Sequence, residues 1–248
     1  MPKVVREEHG PVALLRLTNG VTNAIGAGLL SELDSAIREI RERFQGLVLA
    51  GNTKFFSIGL DLPELLTLDR DEMFDFWNRF EDLVLDLYTL PIPTAGALAG
   101  HAIAGGAILA LTCDYRFMAD GRRRIALNEV GIGVPVPYLA HLMLRQIAPD
   151  RVAVEMELAS RFLGPEDAKA AGLADEVCAE EAVEARAVQR IRELAATPRP
   201  AFAATKQHRI RQIPSQFKAI RQDMNRAFLE CWFMPATQAL LKEAARKF

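Results

Sequence analysis

Two glycine-containing segments carry backbone amides that could bind an anion. In residues 57–62 a glycine precedes an expected strand-to-helix transition, which frees the N–H of Leu60 to face a ligand. In residues 100–106 the N–H of Gly105 is the best candidate for a second donor. Because both segments follow strands of one expected sheet, the two donors could converge on one oxygen as an oxyanion hole. Asp61 is interpreted as a helix N-cap, with a catalytic role as the alternative.

A carboxylic acid follows in the next loop that is rich in glycine and proline. Glu129 stands among apolar residues, namely Leu127, Val130, Ile132 and Val134. Burial among such side chains would raise the pKa of the carboxyl and make it a better general base. The alternative is an ordinary loop carboxylate that caps the next turn.

The segment from residue 87 to residue 113 contains no Asp, Glu, Lys or Arg and is long enough to span a bilayer. Glycines and prolines recur through it, His101 stands in its middle, and its upstream flank is acidic rather than basic. The sequence therefore predicts no membrane span. It predicts a buried strand at Thr94–Leu98, a glycine turn at 100–106 and a buried helix that runs to about Thr112.

The elements that would position these residues alternate between strands and helices. Apolar runs predict strands at 4–8, Val12–Leu17, Gly46–Ala50 and 114–119, and helical periodicity predicts helices at 28–44 and 71–88. Residues 54–62 are predicted to form a loop and residues 121–124 the tip of a hairpin. The alternation indicates βαβ units whose sheet is covered on both faces.

From Tyr138 onward the pattern is mostly helical. We predict an α/β core over residues 1–195 and a helical C-terminal region over residues 196–248. The C-terminal region has more apolar residues than one stripe on a finished domain needs. Packing within the same chain and contact with another subunit are both consistent with this excess.

Composition and spacing exclude several classes of function. The 248 residues carry a formal net charge of −2, so no basic field favours nucleic acid. Three cysteines and four histidines are scattered without metal-ligand spacing, so no metal site is expected. Nucleotide-binding glycine motifs and the serine-hydrolase motif are absent from the sequence. The amino-terminal segment carries charges of both signs without an apolar core, which predicts a cytoplasmic protein.

Together these residues resemble the crotonase superfamily of enoyl-CoA hydratases and isomerases. The resemblance runs nearly the whole length and is carried by FSIGLDL (56–62), AGGAILALTCDYR (104–116) and LNEVGIG (127–133). Within the superfamily these motifs are most similar to those of Δ3,Δ2-enoyl-CoA isomerases. The resemblance implies an α/β fold, the crotonase spiral of ββα units with a helical C-terminal trimerisation region. A homotrimer or a dimer of trimers is therefore expected.

The resemblance also implies the ligand and its contacts. The ligand would be an acyl-CoA thioester, with no cofactor apart from the coenzyme A of the substrate itself. The thioester oxygen would lie between the N–H groups of Leu60 and Gly105, and Glu129 would be the base. Residues expected to contact the substrate are Ser57, Gly59, Ile108 and Val134.

Ile108 departs from the hydratase pattern. Hydratases have a glutamate at the matching position, and it activates water together with the glutamate that matches Glu129. A proton shuttle with one base does not need the second carboxylate. The resemblance thus favours isomerisation of 3-enoyl-CoA to trans-2-enoyl-CoA. The alternatives are hydration of enoyl-CoA, another crotonase reaction such as thioester hydrolysis or decarboxylation, and a non-catalytic acyl-CoA-binding relative.

Overall fold

The computed structural model describes residues 1–246. Lys247 and Phe248, which end the predicted 196–248 region, lie outside the described residues. Within residues 1–246 the strands are β1 (Val4–His9), β2 (Val12–Leu17), β3 (Gly46–Ala50), β4 (Phe55–Ser57), β5 (Thr94–Leu98), β6 (His101–Ile103), β7 (Tyr115–Ala119), β8 (Ile125–Ala126) and β9 (Glu176–Cys178).

The helices over the same residues are α1 (Ala27–Arg43), α2 (Leu62–Leu65), α3 (Arg70–Tyr88), α4 (Gly105–Leu111), α5 (Tyr138–Ile147), α6 (Asp150–Leu158), α7 (Pro165–Ala170), α8 (Val183–Ala195), α9 (Arg199–Ile210), α10 (Gln212–Trp232) and α11 (Pro235–Ala245). Short 3-10 turns lie at Val130–Ile132 and Glu180–Ala182. The predicted strands at 4–8, Val12–Leu17, Gly46–Ala50 and Thr94–Leu98 and the helices near 28–44 and 71–88 are all present within a residue or two.

The larger sheet has the strand order β1-β2-β3-β5-β7-β9. Strands β1 and β2 pair antiparallel, whereas the pairs from β2 to β9 are parallel. Helix α8 packs on one face through Val183, Ala187 and Ile191, and the main core lies on the other. Because both faces are covered, β3 and β5 are buried throughout, as their unbroken apolar sequences require.

A second sheet has the strand order β4-β6-β8, and its strands pair in parallel. Its presence shows that three of the predictions made from the sequence were wrong. Residues 54–62 contain β4, and residues 100–106 contain β6. Residues 121–124 are not the tip of a hairpin, because β7 pairs with β5 and β9 while β8 pairs with β6. The strands that the sequence did not predict, β4 and β6, are three residues long, too short for the alternation that identifies a strand in a sequence.

The C-terminal helices pack against the rest of the chain. Helix α10 lies against α3 and α5, and α11 lies against α2 and the turn Val130–Ile132. Phe217, Phe228 and Trp232 are buried within the same chain. This packing accounts for much of the apolar excess, while the division at residue 195 and an assembly role for 196–248 stay predictions.

The uncharged segment supplies the end of α3 followed by β5, β6 and α4. Among residues 1–246 no helix combines the length and the apolar character needed to cross a bilayer.

Candidate active site

The first glycine segment links β4 to α2. Gly59 has φ +102°, in the region that favours glycine. The Ser57 hydroxyl donates to the carbonyl of Asn23 (2.8 Å) and accepts from the N–H of Gly59 (3.1 Å), which fixes the turn. The carboxylate of Asp61 accepts from the N–H of Glu64, so the interpretation of Asp61 as an N-cap is confirmed.

The second segment links β6 to α4 through a strained residue. Ala104 has φ +48°, which is uncommon for a residue with a side chain. Its N–H donates to the carbonyl of Ala126 (2.8 Å), and its carbonyl accepts from the N–H of Ile108 (2.9 Å). Gly106 lies against β4 so closely that a Cβ would stand 2.2 Å from the carbonyl oxygen of Ser57. These contacts hold Gly105 at the first position of α4.

The two candidate donors lie side by side. A Cβ built on Gly59 would stand 3.0 Å from the nitrogen of Gly105, and a Cβ built on Gly105 would stand 3.5 Å from the nitrogen of Leu60. Within residues 1–246 neither the N–H of Leu60 nor that of Gly105 donates a hydrogen bond. Two adjacent unpaired amides can together receive one oxygen that gains negative charge.

Glu129 precedes the turn Val130–Ile132, which is held from two sides. Its carbonyl accepts from the N–H groups of Ile132 (3.0 Å) and Val134 (3.1 Å). The hydroxyl of Ser160, just after α6, accepts from the N–H of Gly131 (3.0 Å). The hydroxyl of Thr237 on α11 donates to the carbonyl of Gly133 (3.1 Å). Two residues distant in sequence, Ser160 after α6 and Thr237 on α11, therefore fix the loop that carries the carboxyl.

The carboxyl of Glu129 is buried and incompletely paired. The residue is 5% exposed, and its Oε2 has no hydrogen-bond partner within residues 1–246. The pKa of Glu129 is raised to about 8, mainly by burial and to a smaller extent by the charge of Glu157, while a hydrogen bond to its own backbone opposes the rise. Such a carboxyl takes up and releases a proton near neutral pH, as a general base must.

Glu157 is hydrogen-bonded to a histidine on the helices behind the loop. Its Oε1 lies 2.9 Å from Nδ1 of His141, which joins α6 to α5. Glu157 is itself buried, so its charge is poorly screened and acts on Glu129.

A cavity of about 520 Å³ connects these groups. Five predicted site residues line it, namely Leu60, Gly105, Ile108, Glu129 and Val134. The structure places the other two, Ser57 and Gly59, behind the wall rather than in it, where they shape the turn that carries Leu60. Ile108 is 2% exposed and contributes only an apolar side chain to the cavity that Glu129 also lines.

The sequence interpretation missed an aromatic wall at this cavity. Trp77 and Phe80 of α3, together with Phe228 and Trp232 of α10, line it. The rings of Trp77 and Phe228 stack with centroids 3.7 Å apart, and those of Phe228 and Trp232 lie 5.9 Å apart. On amphipathic helices these residues have the spacing of ordinary core positions, so no local signal distinguishes a cavity wall from a filled core.

Two unpaired backbone donors and one buried carboxyl at the cavity suit proton transfer beside a carbonyl. The rest of the lining is mostly apolar and includes the polar residues Thr22, Asp61, His101, Arg124 and Asn128. Over residues 1–246 no group of three or more His, Cys, Asp or Glu is placed to hold a metal ion.

A family model and individual relatives both show that the chain is similar to enoyl-CoA hydratases and isomerases. The model of the family "Enoyl-CoA hydratase/isomerase" matches residues 7–233. "Enoyl-CoA delta isomerase 1, mitochondrial" of Homo sapiens is 31% identical over 199 residues, 79% of this chain and 66% of that protein. The match therefore spans slightly less than two thirds of the human protein. "Probable enoyl-CoA hydratase echA17" of Mycobacterium avium (strain 104) is 31% identical over 79% of this chain and 76% of that protein.

Solved structures show the same architecture. The crystal structure of human mitochondrial delta3-delta2-enoyl-CoA isomerase superposes with a TM-score of 0.94 at 27% identity, covering 99% of this chain and 97% of that one. An enoyl-CoA hydratase (ECHA3) from Mycobacterium marinum gives 0.84 at 30% identity, covering 91% and 99%. The crotonase fold expected from the resemblance is confirmed.

Proposed function

The chain belongs to the enoyl-CoA hydratase/isomerase family, and from this premise we propose that it isomerises 3-enoyl-CoA thioesters to trans-2-enoyl-CoA thioesters. One observation carries the proposal. A single buried carboxyl with an unpaired oxygen, Glu129, shares an apolar cavity with the unpaired N–H groups of Leu60 and Gly105. The other carboxylate at the cavity, that of Asp61, is engaged in capping α2.

The reaction moves one proton and one double bond. The ionised Glu129 removes a proton from C2, and the electron pair of the C–H bond enters a dienolate whose negative charge lies largely on the thioester oxygen. The N–H groups of Leu60 and Gly105 stabilise that oxygen. The protonated carboxyl of Glu129 then returns the proton at C4, so the double bond lies between C2 and C3 and the base is regenerated.

The contributions that oxyanion-hole donors and general bases typically make to catalysis are large enough for this arrangement to work. A donor in an oxyanion hole contributes about 3 kcal/mol to stabilisation of the transition state. A positioned general base contributes about 10²-fold to 10⁴-fold in rate. The two contributions depend on different parts of the chain, namely the glycine segments for the oxygen and the 127–133 loop for the proton.

Ile108 gives isomerisation an advantage over hydration. Addition of water needs a water molecule held and activated near C3, and an apolar side chain at this position offers it no hydrogen bond. A dry cavity also strengthens the interaction of the dienolate with the two amides. Hydration by Glu129 alone is the second candidate, since several relatives of this chain are named probable enoyl-CoA hydratases.

The decisive experiment offers the purified protein 3-hexenoyl-CoA and trans-2-hexenoyl-CoA in separate assays. We expect conversion of the first to the conjugated 2-enoyl product, followed by its ultraviolet absorbance, and little 3-hydroxyacyl-CoA from the second. Hydration of the second at a rate comparable to isomerisation of the first would overturn the proposal in favour of a hydratase. Conversion of neither would remove both candidates.

Other parts of the proposal rest on the family resemblance. The substrate is an acyl-CoA thioester, no separate cofactor takes part, and the protein assembles as a homotrimer or a dimer of trimers. Light scattering coupled to size-exclusion chromatography measures the assembly directly, and a monomer would contradict it. The human relative is named as a mitochondrial protein, and the cytoplasmic location of this chain stays a prediction.

A further inference from the structure

Helix α1 begins without a cap of its own. Its N-cap residue is Gly26, which has no side chain, and its first turn reads AGLL, without an acid. The carboxylate of Glu64 on α2 fills this place, because its Oε1 accepts a hydrogen bond from the N–H of Ala27 (2.9 Å). The helix dipole also favours a negative charge at this end. An acid 37 residues further along the chain therefore caps α1.

The lack of a side chain at Gly26 makes room for that carboxylate. A Cβ built on Gly26 would stand 2.0 Å from Oε2 of Glu64, closer than any nonbonded contact allows. Gly26 has φ −105°, which residues with side chains adopt readily, so the backbone conformation does not require glycine here. The space that Glu64 occupies is what excludes a side chain from this position.

Glu64 follows directly on the segment that carries the first candidate donor. Leu60 forms a parallel bridge with Ile25. The N–H of Ile25 donates to the carbonyl of Gly59 (2.8 Å), and the N–H of Asp61 donates to the carbonyl of Ile25 (3.0 Å). These two bonds lie on either side of Leu60. The cap from Glu64 to the start of α1 adds a further tie between the same two segments.

We propose that Glu64 is a positioning residue, whose cap on α1 holds the N–H of Leu60 at the place where it meets the thioester oxygen. The inference rests on the proposed function, because it takes the N–H of Leu60 to be one of the two oxyanion donors. Such a donor has to be fixed in place before negative charge develops on the oxygen, and a small displacement of a positioned group lowers the rate strongly.

Helix α1 is a suitable anchor for this short segment. It has 17 residues and is buried in the core through Leu29, Leu33 and Ile40, whereas α2 has four residues. Loss of the cap would not leave a buried donor unpaired, because Ala27 is exposed and water can replace the carboxylate. Water cannot replace the link between α1 and the segment that carries Leu60. The loss should therefore be seen in the rate more than in stability.

Glu64→Ala should lower kcat for 3-hexenoyl-CoA about tenfold, which is less than removal of a whole donor costs. An oxyanion hole acts mainly on the transition state, so KM should stay within about threefold of wild type. Glu64→Gln should restore most of the rate, because its amide oxygen can still accept from the N–H of Ala27. A role in stability alone would produce neither the fall in kcat at constant KM nor its rescue by glutamine.

Gly26→Ala breaks the same contact from the other side. The added methyl group displaces the carboxylate of Glu64, which stands at the end of a flexible side chain, and leaves Glu64 itself unchanged. Its kcat should fall as in Glu64→Ala, and the double variant should be no slower than either single variant. Losses that add in the double variant would show that the two changes act separately, and would overturn the inference.

Glu32→Ala is the matched control. Glu32 lies on α1 as well, and its Oε2 accepts from the N–H groups of Lys3 (2.7 Å) and Val4 (3.0 Å), so it ties the helix to the start of β1. We expect a lower melting temperature and an unchanged kcat. Equal losses of kcat in Glu32→Ala and Glu64→Ala would assign the effect to α1 as a whole and overturn the role of Glu64.

Hydrogen exchange separates this inference from the proposed function, because it does not depend on turnover. The amides of Ile25 and Asp61 should exchange about tenfold faster in Glu64→Ala than in wild type, and at the wild-type rate in Glu32→Ala. An active wild type with unchanged kcat in Glu64→Ala would overturn the role of Glu64 and leave the isomerase assignment intact.

A wild-type protein that converts no 3-hexenoyl-CoA would instead overturn the proposed function. Exchange alone then decides the inference. Faster exchange confined to Glu64→Ala would support the tie between Glu64 and the segment that carries Leu60, and equal exchange in all the variants would overturn it.

Discussion

Gly59 approaches Gly105 so closely that a Cβ on Gly59 would stand 3.0 Å from the amide nitrogen of Gly105. The same Cβ would be strained by the backbone, because Gly59 has φ +102°. Position 59 therefore requires glycine for two reasons. The turn needs a positive φ, and a side chain would fill the space beside the N–H of Gly105.

Gly59→Ala should remove most of the activity. A methyl group beside the nitrogen of Gly105 displaces one of the two donors, so we expect kcat to fall about 10²-fold or more. Gly121→Ala is the control, since Gly121 also has positive φ (+78°) but nothing lies within 4 Å of its added Cβ. The control should lose stability with unchanged kcat. Equal losses of kcat in the two variants would contradict the role of the Gly59 segment.

Glu129→Gln should remove most of the catalytic activity while keeping the shape of the cavity. The amide cannot accept the C2 proton, so kcat should fall about 10²-fold to 10⁴-fold. Binding of octanoyl-CoA, measured by calorimetry, should stay within a few-fold of wild type. Retention of full isomerase activity would remove the base assignment.

The pH dependence of stability should carry the signature of Glu129. Its pKa is about 8 in the folded protein and about 4.5 ordinarily, so between these values the folded state holds a proton that the unfolded state has lost. The free energy of unfolding therefore decreases as pH rises from about 4.5 to about 8. Glu129→Gln should lessen that decrease, and thermal melts should place it several degrees above wild type at pH 8 but not at pH 4. Parallel curves for the two proteins would contradict this.

Glu157→Gln should move the acid limb of the activity profile. With Glu129 as the base, kcat/KM should rise with pH until about pH 8 and then level off. Removing the negative charge of Glu157 lowers the pKa of Glu129, so the limb should shift toward lower pH.

Glu155→Gln is the control for that shift. Glu155 lies on the same helix as Glu157 and forms an ion pair with the exposed Arg151. Unlike Glu157, it does not contribute to the raised pKa of Glu129. Its profile of kcat/KM against pH should coincide with that of wild type. A shift of similar size in both variants would assign the effect to α6 as a whole rather than to the Glu157 charge.

Ile108→Glu should raise hydration relative to isomerisation. The new carboxylate gives water the second contact that the cavity lacks, so the ratio of trans-2-enoyl-CoA hydration to 3-enoyl-CoA isomerisation should increase about tenfold or more. Burial of a carboxyl at this position also lowers stability, which a melting curve will report. Ile108→Gln, similar in size but unable to ionise, controls for polarity alone, and an equal increase in that variant would refute the role of the charge.

Much of the fold follows from sequence patterns because it rests on local signals. The strands at Gly46–Ala50 and Thr94–Leu98 are continuous apolar runs, and α3 begins at a capping box of Asp69 and Glu72. The glycines of the two turns identify Leu60 and Gly105 as donor candidates before any coordinates exist. The three-stranded sheet escaped prediction because its strands are stabilised by their neighbours and not by their own pattern.

The identity of the site residues was thus largely determined by the sequence, namely a carboxyl in an apolar loop, two amides after glycines, and an isoleucine where a second acid could stand. Only the tertiary structure decided their relations. The adjacency of Leu60 and Gly105, the effect of Glu157 on Glu129 and the aromatic wall with Trp232 all join residues that lie far apart in the chain. Distances, burial and unpaired atoms depend on how separate elements pack, and no local pattern of residues specifies them.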